Sequence, residues 1–361
     1  MKRLLAASAV LAMLSAAAMA AELEGFQKTY AEAQKLAKES NKPMYLHFTT
    51  TWCGWCRKIE KDDYASEEGK KALADFVPAS LDCTVPDGQE PSPETRVNLD
   101  LMRKFGGRGY PFLVILTPDG DLMHGWAGYK SVDQFVEELK EALKNFQEYK
   151  DFQAYAAKAD KKTFEYNAKA MTFYAMLKKW DPAAEAARGV RKLDPKDEKG
   201  LAATAAFVEL QAALAAENRD PQKIKTLLAE MGRLDPQNTK GVLEKAMWQI
   251  AYDAFRASMT RDAELRKAKL QEALDTLKDL TSRVEKLTGP QEVYGLMAAT
   301  LASMGELDEA QKALEKGIAV TSQPEAIEKL KAMLERVKEA KAARSQPPIP
   351  PPPGGPPPAE K

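Results

Sequence analysis

Two of the three cysteines, Cys53 and Cys56, are separated only by Gly54-Trp55 and follow directly on a short apolar run, Met44 to Phe48. A thiolate is the nucleophile of disulfide exchange. At the start of a helix it is stabilised by unpaired backbone N–H groups and by the positive end of the helix dipole. The spacing places Cys53 there and Cys56 one turn on, close enough to attack a mixed disulfide held on Cys53. Cys53 is therefore the expected nucleophile and Cys56 the resolving thiol. Zinc knuckles use the same spacing, and a ligand set of His47, Cys53, Cys56 and Cys83 is the competing reading. Cys83, beside Asp82, reads first as a small buried hydrophobe, with a third redox thiol as the sharper alternative. Three cysteines are too few to staple a scaffold, so the thiols read as chemistry.

The elements that must position these thiols can be traced around them. Glu22 to Ser40 carries Phe26, Tyr30, Ala33 and Leu36 at helical spacing. Met44 to Phe48 fits a buried central strand. Arg57 to Phe76 reads as helix, Val77 to Cys83 as a second strand and Pro111 to Leu116 as a third. Thr117-Pro118-Asp119-Gly120 then turns the chain into a fourth strand over Asp121 to Trp126. Val132, Phe135, Leu139 and Leu143 mark a closing amphipathic helix. Thr84 to Arg96, rich in proline and acidic residues, reads as a surface loop near the thiols. His124, after the turn, reads as a surface residue.

In this order the segments resemble the thioredoxin fold over roughly Glu22 to Phe146. Two separated motifs carry the resemblance: Trp52-Cys53-Gly54-Trp55-Cys56 after a hydrophobic strand, and Lys104-Phe105-Gly106-Gly107-Arg108-Gly109-Tyr110-Pro111 downstream. The resemblance implies that Cys53 and Cys56 form a redox-active disulfide and that Pro111 is a cis-proline. It also implies that Tyr110 offers backbone groups to an extended substrate, with Trp52, Gly54 and Trp55 at the docking surface. Typical members keep a buried acid six residues before the first cysteine. Here that position is His47, read either as the proton acceptor for the resolving thiol or as a satisfied core residue. Gly54-Trp55 replaces the usual Gly-Pro, so Trp55 is either a substrate platform or packing.

From about Gln147 the strand patterns cease, and Ala, Leu, Lys and Glu dominate long helical stretches. Leu193-Asp194-Pro195 recurs as Leu234-Asp235-Pro236 and Lys199-Gly200 as Lys240-Gly241, each pair 41 residues apart. Asp181-Pro182 and Asp220-Pro221 read as helix starts. Tyr294 to Pro324, divided at Gly305 with Ala310 and Leu314 facing inward, is a third unit. The period is that of stacked helical hairpins and resembles degenerate tetratricopeptide repeats, although an ordinary helical bundle shares the same capping chemistry. The expected fold is an α/β thioredoxin-like domain, a central sheet flanked by helices, followed by an all-α helical-repeat domain. The expected divisions are a signal peptide at 1–20, the thioredoxin-like domain at 21–146, the helical, tetratricopeptide-like domain at 147–344 and a proline-rich tail at 345–361.

Met1-Lys2-Arg3, the uncharged Leu4 to Ala18 and the small residues to Ala20 have the layout of a cleaved secretory leader, which predicts a periplasmic or secreted product with no membrane insertion. With 53 basic and 53 acidic residues there is no basic excess to suggest a nucleic-acid partner. No cofactor or metal is expected. Together with the resemblance, these features predict a thiol-disulfide oxidoreductase. Its partners would be exported protein disulfides, an upstream electron donor, and a protein bound by the helical domain. The strongly oxidising relatives usually carry histidine between the cysteines and a helical insertion within the fold; both are missing here, so the reductase or isomerase direction is expected. The alternative is a non-catalytic protein that binds a client or partner through its helical repeats.

Overall fold

The structure is a computed structural model and describes residues 25–345. The expected signal peptide and all but the first residue of the expected tail lie outside the described residues. The described residues form two compact units, 25–179 and 180–345, and the first runs past position 146. The reason is local: the helix over Val132–Ala156 runs unbroken through that position, and Phe146, Tyr149 and Phe152 on it are buried. Phe152 stacks on Phe173 at 3.9 Å, and Tyr149 donates to the Asp119 carboxylate at 2.9 Å. Aromatic packing thus binds residues 147–179 to the first unit.

That unit runs α1 (Tyr30–Ser40), β1 (Met44–Thr49), α2 (Gly54–Ile59), a π-helical turn (Glu60–Tyr64), α3 (Glu67–Leu73), β2 (Val77–Asp82), α4 (Pro93–Lys104), β3 (Phe112–Leu116), β4 (Leu122–Ala127), α5 (Val132–Ala156) and α6 (Phe164–Met176). The sheet order is β2-β1-β3-β4, with β1 parallel to β2 and the other pairs antiparallel. One face of β1, Met44, Leu46 and Phe48, packs with Ala33 and Ala37 of α1 and Met102 of α4. The alternate residues Tyr45 and His47 meet Tyr64, and Tyr45 also meets Phe135 of α5. Because β1 is covered on both faces it is apolar nearly throughout.

Several boundaries differ from the sequence expectation. The first helix begins at Tyr30, not Glu22, because the Thr29 hydroxyl caps it through the Glu32 N–H at 3.2 Å while Gln27 bridges to Ala79 of the sheet. Arg57 to Phe76 is not one helix: Ser66 recaps the chain through Gly69 N–H at 2.9 Å, after the π-helical turn. The loop expected over Thr84 to Arg96 ends early, since Ser92 and Pro93 start α4. Asp181-Pro182 lies within the first turn of its helix rather than before it.

The second unit is built of α7 (Trp180–Leu193), α8 (Ala202–Ala215), α9 (Pro221–Leu234), α10 (Val242–Ala257), α11 (Ala263–Arg283), α12 (Pro290–Met304), α13 (Leu307–Val320) and α14 (Pro324–Ser345). Consecutive helices pack on each other, and α8, α10, α12 and α14 also touch in series. The 41-residue recurrence is a structural one. Asp194 accepts from the N–H groups of Glu198 and Lys199, and Asp235 from those of Thr239 and Lys240. Gly200 and Gly241 then take the same left-handed conformation, φ 68° and 62°, which glycine adopts without Cβ strain. Asp220 caps α9 as expected, Gly305 separates α12 from α13, and Ala310 and Leu314 are fully buried.

Candidate active site: a disulfide at a helix start

Cys53 and Cys56 are joined in a disulfide, with Cα atoms 5.3 Å apart. Cys53 is the N-cap of α2, and its Sγ accepts the Cys56 N–H at 3.1 Å. The same donor is in place for a Cys53 thiolate after reduction, which favours the charged form. Both sulfur-bearing residues are nearly covered, Cys53 to 4% and Cys56 to 1% exposure. Cys53 is slightly the more open of the two.

Two exposed tryptophans flank the disulfide, and each leans on a tyrosine. Trp52 meets Tyr110 edge-on at 5.6 Å, and Trp55 stacks on Tyr129 at 5.7 Å. Tyr129 in turn lies under the Lys58 ammonium at 4.9 Å and donates to Asp62 at 3.2 Å. The Tyr110–Pro111 bond is cis. The turn before it depends on glycine twice: Gly106 has φ 87°, and a Cβ on Gly107 would fall 2.5 Å from the Phe112 ring and 2.6 Å from Met102. A Cβ on Gly54, between the cysteines, would make only an ordinary contact with the Arg57 guanidinium at 3.9 Å.

His47 is fully buried, and both ring nitrogens lack a hydrogen-bond partner. It is a core residue, but not a satisfied one. Burial lowers its pKa to about 3, so it is neutral at physiological pH. Its ring meets Tyr64, on the turn that prolongs α2. Cys83 is buried as expected, and burial pushes its thiol up to about 11. It belongs to the hydrophobic cluster of the sheet, against which Tyr110 packs. After reduction of Cys53–Cys56, alkylation at pH 8 is expected to label Cys83 in native protein at least about a hundredfold more slowly than in denatured protein, since little thiolate forms there. Mass spectrometry of the labelled peptides reads this directly, and comparable native and denatured rates would contradict the burial. His124 is at the surface but half-buried against Glu138, and burial lowers its pKa. Among the described residues no group of three or more His, Cys, Asp or Glu is arranged to hold a metal ion.

The structure adds residues that the sequence reading passed over. Glu60 lies one turn beyond Cys56, its N–H bonded to the Cys56 carbonyl, and burial raises its carboxyl pKa. Its i,i+4 spacing from Cys56 was a readable signal. Asp63, on the π-helical turn, is buried with one carboxylate oxygen unpartnered, and its pKa is raised to about 6 by burial and by Asp62. Tyr129 had no signal in the chain, because its role depends on β4 returning beside α2.

The sheet order, the helices on both faces, the disulfide at the start of α2 and the cis-proline define the first unit as a thioredoxin-like domain. Residues 30–143 match that domain family. The chain is 31% identical over 136 residues to the protein disulfide-isomerase-like protein EhSep2 of Emiliania huxleyi, covering 37% of this chain and 52% of that protein. It is 30% identical over 98 residues to the disulfide bond reductase DsbH of Chlamydia pneumoniae, covering 26% and 57%. An uncharacterised Caenorhabditis elegans protein is 33% identical over 89 residues, 24% of this chain and 12% of that one. The chain thus spans from 12% to 57% of the length of these curated relatives. Among solved structures, a DsbH oxidoreductase aligns at 27% identity over 33% of this chain and 85% of its own, with a TM-score of 0.30.

Proposed function

We propose that the protein is a thiol-disulfide oxidoreductase acting on protein disulfides outside the cytoplasm, in the reducing or isomerising direction. The observation that carries this reading is the Cys53–Cys56 disulfide at the N-cap of α2, with a backbone donor already on Cys53 Sγ. The relatives named as a disulfide reductase and a disulfide-isomerase-like protein support it. Export rests on the leader-like residues 1–20. Among the described residues no helix is long and apolar enough to cross a membrane.

The direction is supported by the pairing of one of the two nearby cations with a carboxylate and by the lack of a histidine between the cysteines. The Lys58 ammonium is held by Asp62 at 2.5 Å, and the Arg57 guanidinium donates to the Thr51 carbonyl at 2.8 Å. With Lys58 offset by Asp62, the stabilisation of the Cys53 thiolate beyond its backbone donor is modest, which keeps the disulfide from being a strong oxidant. Equilibration with a glutathione buffer is expected to give a potential below about −200 mV, and one near about −120 mV would overturn the direction. The wild-type chain should also reduce a disulfide-linked protein when an electron donor is supplied.

For the proton of Cys56, Glu60 is a better acceptor than His47. A base of pKa about 3 holds a proton poorly, whereas a carboxyl with a raised pKa, one helical turn from the thiol, is better matched to the transfer. The helical unit fits a tetratricopeptide-like array that binds a client or partner. Its serial packing and repeated loops support this, as does a groove of about 400 Å³ bordered by Lys240, Lys245, Trp248, Gln291 and Glu292.

A further inference from the structure

Two loops must hold a common register for disulfide exchange: the one leading into Cys53 and the one leading into cis-Pro111. They come from distant parts of the chain, yet both are fastened to the same three residues at the end of β2. The Thr84 hydroxyl accepts the Thr51 N–H at 2.8 Å, two residues before Cys53. Next to it, Cys83 belongs to the buried cluster against which Tyr110, the residue before Pro111, packs, and the Tyr110 ring lies edge-on to Trp52. The bracket is itself anchored. Asp82 Oδ1 accepts the Thr84 N–H at 2.8 Å, and the Asp82 carbonyl accepts from Asn98 of α4 at 3.0 Å. The Thr51 carbonyl is held from the other side by Arg57 of α2.

We propose that Asp82-Cys83-Thr84 is a positioning element for thiol-disulfide exchange, fixing the Cys53 loop through Thr51 and the substrate-docking loop through Tyr110. The proposal rests on the oxidoreductase reading above. Neither Cys83 nor Thr84 exchanges electrons or protons in it. They hold the nucleophile and the backbone that pairs with an extended peptide at a constant spacing. A small disulfide that reacts with Cys53 without docking along Tyr110 does not need that register.

The test uses the full chain and four variants: Thr84→Val, Thr84→Ser, Cys83→Ala and Cys83→Ser. Each is assayed with a disulfide-linked peptide and with a small aromatic disulfide. Thr84→Val, which removes a hydrogen bond, and Cys83→Ala, which removes a packed side-chain atom, are each expected to raise KM for the peptide by about three- to tenfold, with kcat within about twofold. Turnover of the small disulfide should be unchanged. Thr84→Ser, which keeps the hydroxyl, and Cys83→Ser, which keeps a side-chain atom in place, should restore the peptide KM. Hydrogen exchange at the Thr51 amide should quicken in Thr84→Val and not in Thr84→Ser, a readout independent of turnover. Unchanged peptide KM in both apolar variants, or equal losses on both substrates without rescue by serine, would overturn the proposal alone. A wild-type chain that turns over neither disulfide would overturn the oxidoreductase reading, and this proposal with it.

Discussion

Cys56→Ser is expected to accumulate mixed disulfides with protein substrates, and Cys53→Ser to accumulate almost none. Cys53 is the N-cap, the more exposed of the pair, and the acceptor of the Cys56 N–H. It is therefore the sulfur whose thiolate the backbone stabilises and the one a substrate can reach. Attack by Cys53 forms the mixed S–S bond to the substrate and releases the substrate's other sulfur as a thiolate. Attack by Cys56 then reforms the Cys53–Cys56 bond and releases the reduced substrate. Serine at 56 removes the second step and leaves the first. Serine at 53 removes the nucleophile, and turnover should fall by roughly a thousandfold or more. Non-reducing gels of each variant, followed by mass spectrometry of the trapped species, separate the two outcomes. Equal trapping by both variants would reverse or abolish the assignment.

What was legible in the chain was whatever local spacing encodes. Cys53 and Cys56 sit one turn apart, Met44 to Phe48 could only be a covered strand, and Tyr110-Pro111 stood out by its glycine-rich approach. The Asp-Pro and Lys-Gly pairs marked a repeat whose loops share hydrogen bonds and left-handed glycines. The π-helical turn was not legible, because nothing in Glu60 to Tyr64 departs from ordinary helical composition. Its consequence, the burial of Asp63, depends on packing against the sheet. The extent of the compact unit depends on packing in a related way. A change of composition near Gln147 marks where strands stop, whereas the compact unit ends where the aromatic packing of α5 on α6 ends. Likewise the packing of Tyr110 against the cluster that holds Cys83 joins residues 27 positions apart in sequence.

His47 sets the second expectation. Its native pKa is about 3, against 6.5 for the free side chain, and burial is the cause. Between those values the unfolded chain binds a proton that the native protein refuses. Stability contributed by this group is therefore present above about pH 6.5 and is lost as pH falls, by up to about 1.4 kcal/mol per pH unit. Asp63 works in the opposite sense, because its native pKa is raised to about 6 from 3.8. Its contribution is fully present below 3.8 and is lost as pH rises through 6, so the whole-protein curve mixes the two. Comparison of wild type with His47→Leu isolates the histidine. At pH 7 the leucine variant should be at least as stable, since two unpartnered buried nitrogens are removed. At pH 4.5 its advantage should have grown by roughly 2 to 3 kcal/mol in urea unfolding. Parallel stability curves would show that the imidazole titrates normally. The same variant decides the proton question: release of the mixed disulfide at an unchanged rate leaves Glu60 as the acceptor, while a slowed release in a more stable protein would return that role to His47.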